Sequence, residues 1–143
     1  YVNNSAKKTS GACSFMDTFS QVTETIGQNG RRGALMISIS CEHPDLLEFI
    51  EIKNDLNRVT KANISVRITD DFMKAVEEDR DWELKFETKH EVISKTVKAK
   101  EVFRLLCKNN WNMAEPGILY WDTIERWNLL SEDMEFSYAG VNP

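Results

Sequence analysis

Residues 34–50 read ALMISISCEHPDLLEFI and carry the two patterns that decide the fold. Residues 35–40 alternate with a period of two, which is typical of a strand with one better buried face. The triplet His43-Pro44-Asp45 then indicates a helix start, because proline suits the first helical position and aspartate suits the positive end of the helix dipole. The stretch therefore predicts a strand that is followed directly by a helix.

The same succession of strands and helices extends along the chain in both directions. Upstream, Ser14 has the spacing of a helix cap, and apolar residues follow it at helical intervals. Downstream we predict a strand at 64–68, a helix capped by Thr69, an edge strand at 82–86, a helix opened by Thr96, a strand at 118–121 and a short final helix. The fold class is α/β, built on crossover units. We divide the single unit 1–143 into a loop at 1–11, a helix at 14–29, a loop at 27–34 and alternating strands and helices over 34–143.

Composition excludes several classes of function. The 143 residues include 18 Lys and Arg against 23 Asp and Glu, a net charge of −5 that disfavours a general nucleic-acid binder. No apolar run approaches the length of a membrane helix, so we expect no membrane partner. Cys13, Cys41 and Cys107 form no CxxC pair and suggest reduced thiols in a cytoplasmic protein. Neither His43 nor His90 has a second ligand at metal-binding spacing, so we predict no metal site.

Residues 27–34, GQNGRRGA, form the most informative local motif. Glycines allow close approach of the backbone to a ligand, and an arginine between them can grip a phosphate or stack on a base. On this motif alone, a flexible connection with two solvated arginines is favoured over a nucleotide loop. The carboxylates show no spacing that suggests acid–base catalysis, and no nucleophile has an evident base. From the residues alone, the chain is an α/β domain without an assigned function.

Four stretches carry a resemblance that covers nearly the whole chain. They are residues 10–16 with 27–34, residues 43–50 with 53–55, residues 59–66, and residues 115–124 with 140–143. In their order and spacing they resemble the catalytic subunit of ribonucleotide reductases. Their residues are most similar to those of the adenosylcobalamin-dependent bacterial type. The resemblance implies that the chain is an internal fragment of the reductase α/β barrel.

The resemblance also implies a chemistry. In this family a thiyl radical abstracts the 3′ hydrogen of the substrate ribose, and the radical cysteine and a glutamate base would follow directly after Pro143. Asn142 corresponds to the asparagine that hydrogen-bonds the ribose, so the fragment is expected to be inactive alone. Adenosylcobalamin is the implied cofactor of the intact enzyme, not bound by this fragment. The alternative is a metal-radical small subunit, because that class shares the same core.

The glycine and arginine motif acquires a role through the resemblance. Gln28 and Arg32 look like the residues that transmit effector identity to the substrate base. The remaining positions of this substrate- and effector-specificity loop are Asn29, Gly30, Arg31 and Gly33. The implied partners are a nucleotide substrate, a dNTP or ATP effector and the remainder of the reductase chain, and open sheet edges favour a homodimer. A non-catalytic nucleotide-binding or protein-interaction α/β module stays as the alternative.

Overall fold

The computed structural model describes residues 10–27, 33–89, 91–130, 133 and 135. Within them the helices and strands follow one another in the order α1 (Ala12–Ile26), β1 (Met36–Ser40), α2 (Leu46–Glu51), a 3-10 turn (Ile52–Asn54), β2 (Asn63–Ile68), α3 (Asp70–Glu77), β3 (Asp81–Glu87), β4 (Val92–Lys98), α4 (Ala99–Met113), β5 (Gly117–Tyr120) and α5 (Trp121–Arg126). The predicted α/β class is confirmed.

The centre of the fold is a three-stranded parallel sheet in the order β1-β2-β5. Parallel neighbours need crossover connections, which the helices supply here. Ile64, Val66 and Ile68 of β2 are buried to 1% exposure and belong to a single core with Phe72 of α3 and Leu106 of α4. The helices therefore cover one face of the sheet. Within the described residues, β1 and β5 each have one unpaired edge.

The third predicted strand belongs to a separate hairpin. β3 pairs with β4 in an antiparallel ladder, and the buried Trp82 packs edge-on against Phe72 at 5.2 Å between ring centroids. The prediction that Thr96 opens a helix was wrong, because residues up to Lys98 pair with β3 and helix α4 begins at Ala99. Strict alternation fails here as well, since β3 and β4 follow each other directly. The β-branched residues of 92–98 favour an extended backbone.

Helix α1 begins and ends earlier than the predicted range 14–29. It starts at Ala12, whose backbone N–H donates to Asp45 Oδ2 at 2.9 Å, and Gly27 ends it. Ser14 does not cap it, because its hydroxyl donates to the carbonyl of Gly11 from inside the first turn. The predicted cap of α3 is confirmed: the Thr69 hydroxyl oxygen accepts from the N–H of Phe72.

The amino end of the sheet is closed by a partly buried charge pair. Lys53 Nζ lies 3.0 Å from Glu115 Oε2 and donates to the carbonyls of Val59 and Ala62 at 2.6 and 2.8 Å. Glu115 Oε1 also accepts from the N–H of Ile64, the second residue of β2. The pair therefore joins the connection before β2 to the one before β5. In the part of the chain that the structure describes, no helix is long and apolar enough to cross a membrane.

Candidate functional site

The face of the parallel sheet that the helices leave uncovered is polar. Paired residues of adjacent parallel strands point to the same side, so the strand register places Ser38 and Ser40 of β1 beside Ser65 and Arg67 of β2. Gly117 of β5 is paired with Ser65, and a Cβ at Gly117 would lie 3.0 Å from the Ser65 hydroxyl oxygen. The glycine leaves room for a buried hydroxyl, and this polar face is the candidate functional surface.

Arg67 is the charged group of the polar face, and its guanidinium is incompletely satisfied. The guanidinium carbon lies 4.7 Å from the centroid of the Trp121 ring, a cation–π contact. Among the described residues the buried Nε has no hydrogen-bond partner, and none of the ion pairs there includes Arg67. Leaving a buried donor unpaired costs about 1–3 kcal/mol. A ligand that accepts a hydrogen bond from this N–H would remove that cost.

A cavity of about 490 Å³ extends from Arg67 around the edge of β1. Its polar lining includes Ser38, Ser40, Glu42 and Lys85 beside Arg67, and its apolar wall comes from α1 and the hairpin. The hairpin is held there by a hydrogen bond from the Lys85 N–H to the Glu42 carbonyl and by the contact of the His43 and Phe86 rings, whose centroids are 5.5 Å apart. The volume suits one small ligand.

The predicted specificity loop meets the described structure at its two ends. Gly27 ends α1, and its N–H donates to the carbonyl of Glu24. Gly33 lies against the last turn of the same helix, where an added Cβ would be 2.7 Å from Thr23 Cγ2 and 3.0 Å from the Thr23 carbonyl oxygen. Only glycine permits this close approach, so Gly33 fixes the place at which the chain enters β1.

The other predicted site residues lie outside the described residues. These are Gln28, Asn29, Gly30, Arg31 and Arg32 of the loop and Asn142 near the end of the chain. Their roles, and the expectation that the loop and Asn142 line one nucleotide pocket, stay predictions.

Comparison with known proteins decides the family. Residues 1–137 match the family model described as ribonucleotide reductase, barrel domain. The chain belongs to the ribonucleotide reductase family. It is 39% identical over 121 residues to the vitamin B12-dependent ribonucleoside-diphosphate reductase of Thermoplasma acidophilum, which covers 83% of the chain and 16% of that protein.

Two bacterial relatives extend this result. The chain is 35% identical over 165 aligned positions to the vitamin B12-dependent ribonucleotide reductase of Streptomyces avermitilis, covering 98% of the chain and 17% of the relative. It is 31% identical over 121 residues to the vitamin B12-dependent ribonucleoside-diphosphate reductase of Mycobacterium tuberculosis, covering 83% and 17%. The chain thus spans about a sixth of the length of these reductases.

The three cysteines of this reductase segment are free thiols. Burial, together with the charges of Glu48 and Asp45, raises the pKa of the Cys13 thiol from its ordinary 9.0 to about 12. Burial also raises the pKa of the Cys41 thiol, whereas Cys107 is exposed on α4. Because the thiolate is the reactive form of cysteine, the two buried thiols are poor nucleophiles near neutral pH. Among the described side chains, no group of three or more His, Cys, Asp or Glu residues is placed to hold a metal ion.

The polar face was missed when the sequence was read for sites, although its signal was present. The alternation of serine with isoleucine in β1 was interpreted only as one better buried face, and the same holds for Ser65 and Arg67 in β2. In a segment of a barrel, the second face of the sheet lines the barrel interior and is not exposed to solvent. A basic residue on that face indicates a functional position.

Proposed function

We propose that this chain is a segment of the catalytic barrel of an adenosylcobalamin-dependent ribonucleotide reductase, which reduces ribonucleotides to deoxyribonucleotides in the cytoplasm. The match of residues 1–137 to the reductase barrel domain carries the proposal, and the names of the relatives support the cofactor. The polar face adds physical support, because serine hydroxyls and an incompletely paired arginine suit a phosphorylated, hydroxyl-rich substrate better than an apolar one.

In this proposal the chain's own residues bind and orient the nucleotide. Gln28 to Gly33 read the base and respond to a dNTP or ATP effector, and Asn142 holds the ribose by hydrogen bonds. An effector can change base preference only if it makes different contacts in two states of the loop. The close approach of Gly33 to Thr23 supports such a two-state loop, because it anchors one end of the loop to α1.

The cofactor chemistry would lie outside this chain. Adenosylcobalamin supplies the radical when it is bound, but the cavity of about 490 Å³ beside the polar face is far too small for a corrin ring with its axial groups. The described residues therefore do not fit the cofactor, and we assign it to other parts of the polypeptide. The chain alone should be inactive.

The experiment that tests the function uses the full-length polypeptide containing this chain. Ribonucleotide reduction is measured with and without adenosylcobalamin and with each dNTP or ATP effector. We expect turnover only with adenosylcobalamin. We also expect Arg32→Ala to abolish effector-dependent base preference while basal turnover falls much less. Reduction that needs a metal-radical subunit instead would overturn the cofactor assignment, and equal loss of preference and turnover would contradict the role of Arg32.

We also propose that the reductase is a homodimer through the outer face of α1. This face carries a stripe of exposed apolar side chains, Phe15, Phe19, Val22 and Ile26, between 48% and 69% exposed. The two charged residues of the helix are Asp17 and Glu24, which form ion pairs with Arg58 and Lys61 of the same chain. Two copies can therefore bring their stripes together about a two-fold axis without like-charge repulsion.

Sedimentation of the full-length polypeptide tests the dimer. Val22→Glu should convert it to a monomer, because a carboxylate would be buried in the apolar contact. Trp111→Glu is the matched control, since Trp111 is 89% exposed on α4 and lies away from the stripe. A Val22→Glu variant that sediments as the wild type would exclude this interface.

A further inference from the structure

We propose that Arg67 binds a phosphate group of the nucleotide on which the reductase acts. The inference rests on the proposed function and deepens it, because it assigns phosphate recognition to a residue within this chain. Arg67 is the charged member of the polar face formed by β1 and β2. The evidence concerns its unsatisfied guanidinium, its position along the sheet and the charge of the cavity that it lines.

The guanidinium has an aromatic contact within the described residues, but its hydrogen-bond donors are not all satisfied there. The guanidinium carbon lies over the Trp121 ring, 4.7 Å from its centroid, and none of the hydrogen bonds of the described residues uses the guanidinium N–H groups. Those N–H groups point along the edge of the guanidinium plane, which is the direction from which a phosphate accepts two parallel hydrogen bonds. The buried Nε, which has no hydrogen-bond partner within the part of the chain that the structure describes, is one of these donors. An anion is the ligand that satisfies both the charge and the donors.

The position of Arg67 suits the far end of a nucleotide. The predicted base-reading loop ends at Gly33, before β1, whereas Arg67 is paired with Ser40 at the last residue of β1. The four steps from Met36 to Ser40 span about 13 Å at about 3.3 Å per residue. An extended nucleotide has a comparable length, so a nucleotide whose base lies near Gly33 can place its phosphates near Arg67.

The surroundings of Arg67 favour a phosphate. Ser38 and Ser40 offer hydroxyl groups on the same face, and Lys85 is a second cation in the lining of the cavity. Glu42 also lines the cavity, so Arg67 and Lys85 together leave it with a net positive charge. A carboxylate from another part of the polypeptide could satisfy Arg67 alone, but it would not explain the second cation and the hydroxyls.

Kinetics of the full-length enzyme test the inference. Arg67→Gln should raise KM for the phosphorylated substrate about 10- to 100-fold, the equivalent of a lost charged hydrogen bond, with little change in kcat. Arg67→Lys should restore part of the affinity, because it keeps the charge. Slow turnover of the unphosphorylated ribonucleoside should be the same in all variants. Arg104→Gln is the control, since Arg104 is an exposed arginine of α4.

Titration with inorganic pyrophosphate separates this inference from the proposed function. The wild-type polypeptide should bind pyrophosphate, and Arg67→Gln should bind it at least about 10-fold more weakly. If the wild type reduces no ribonucleotide, the proposed function fails while this titration still tests the site. Equal pyrophosphate binding, or an unchanged KM, overturns the inference. So does a loss of thermal stability without nucleotide in Arg67→Gln that exceeds the loss in Trp121→Leu, since that would reveal a carboxylate partner within the polypeptide.

Discussion

Two cationic side chains lie at opposite ends of β2, and they differ in how many of their hydrogen-bond donors have a partner. At the amino end, Lys53 is 15% exposed and is completed by Glu115 and two backbone carbonyls. At the carboxyl end, Arg67 lies over the Trp121 ring, but its buried Nε has no hydrogen-bond partner among the described residues. The described residues satisfy the first cation fully and the second only in part.

This difference distinguishes a charged side chain that stabilises the fold from one that is available to bind a ligand. A buried ion pair whose donors and acceptors are all matched joins segments of the chain and leaves nothing for a ligand. A buried donor that the chain leaves unmatched carries a cost that a ligand can remove. The amino end of the sheet is thus expected to determine stability, and the carboxyl end to determine binding.

The largest effect should come from removing the satisfied cation. Lys53→Met would leave the partly buried Glu115 without its partner and two carbonyls without their donor, so the free energy of unfolding should fall by about 3 kcal/mol. Urea unfolding of the chain measures it. Arg67→Met should change the free energy of unfolding by less than about 1 kcal/mol, because no ion pair is broken. Equal losses in the two variants would contradict the comparison.

The second effect tests how tightly the amino end is packed. Gly33→Ala should lower the free energy of unfolding by about 1–3 kcal/mol, because its Cβ would meet Thr23 Cγ2 at 2.7 Å. Thr23→Ala in the same chain should recover part of this loss by removing that methyl group. Recovery should be incomplete, since the Thr23 carbonyl oxygen would still lie 3.0 Å away. A double-mutant cycle measures the coupling, and additive effects would exclude the contact.

The third effect concerns the buried thiol at the start of α1, near the carboxyl end of the sheet. The pKa of Cys13 is about 12 in the folded chain against 9.0 ordinarily, so its contribution to stability is complete below pH 9 and is lost as the pH rises toward 12. In that window the unfolded state ionises first, and stability should fall by up to about 1.4 kcal/mol per pH unit. Cys13→Ala should flatten the decline in urea unfolding between pH 8 and 10.5. An unchanged slope would count against the raised pKa.

The sequence predicted those parts of the fold that depend on local pattern. The period-two alternation of residues 35–40 and 64–68 identified β1 and β2, and Thr69 identified the start of α3. The start of α4 was missed because Thr96 looks like a cap, whereas pairing of 92–98 with β3 overrides that local preference. Tertiary pairing of this kind leaves no period in the single sequence.

The candidate site was only partly predictable for a similar reason. The glycine and arginine loop is predicted from its composition and from the resemblance, and of its predicted site residues Gly33 lies within the described structure, against Thr23. Arg67 looked like the exposed residue of an ordinary strand. Its importance depends on its contact with the ring of Trp121, the first residue of α5, which lies more than 50 residues later in the chain. It also depends on the hydrogen-bond partner that its Nε lacks among the described residues. Such long-range relations become visible only in three dimensions.

The smallest effect should come from removing the contact between Arg67 and Trp121. Trp121→Leu removes the ring from the guanidinium and also the hydrogen bond from the indole N–H to Glu125, so a single variant cannot separate the two. A double-mutant cycle of Trp121→Leu with Arg67→Met should give a coupling of about 0.5–1 kcal/mol in urea unfolding, the range for an exposed cation–π contact. Trp121→Phe is the matched control, because it keeps an aromatic face but loses the N–H. If the coupling persists in Trp121→Phe, the ring face holds the guanidinium; if it vanishes there, Arg67 responds to the hydrogen bond instead and its orientation is not set by stacking.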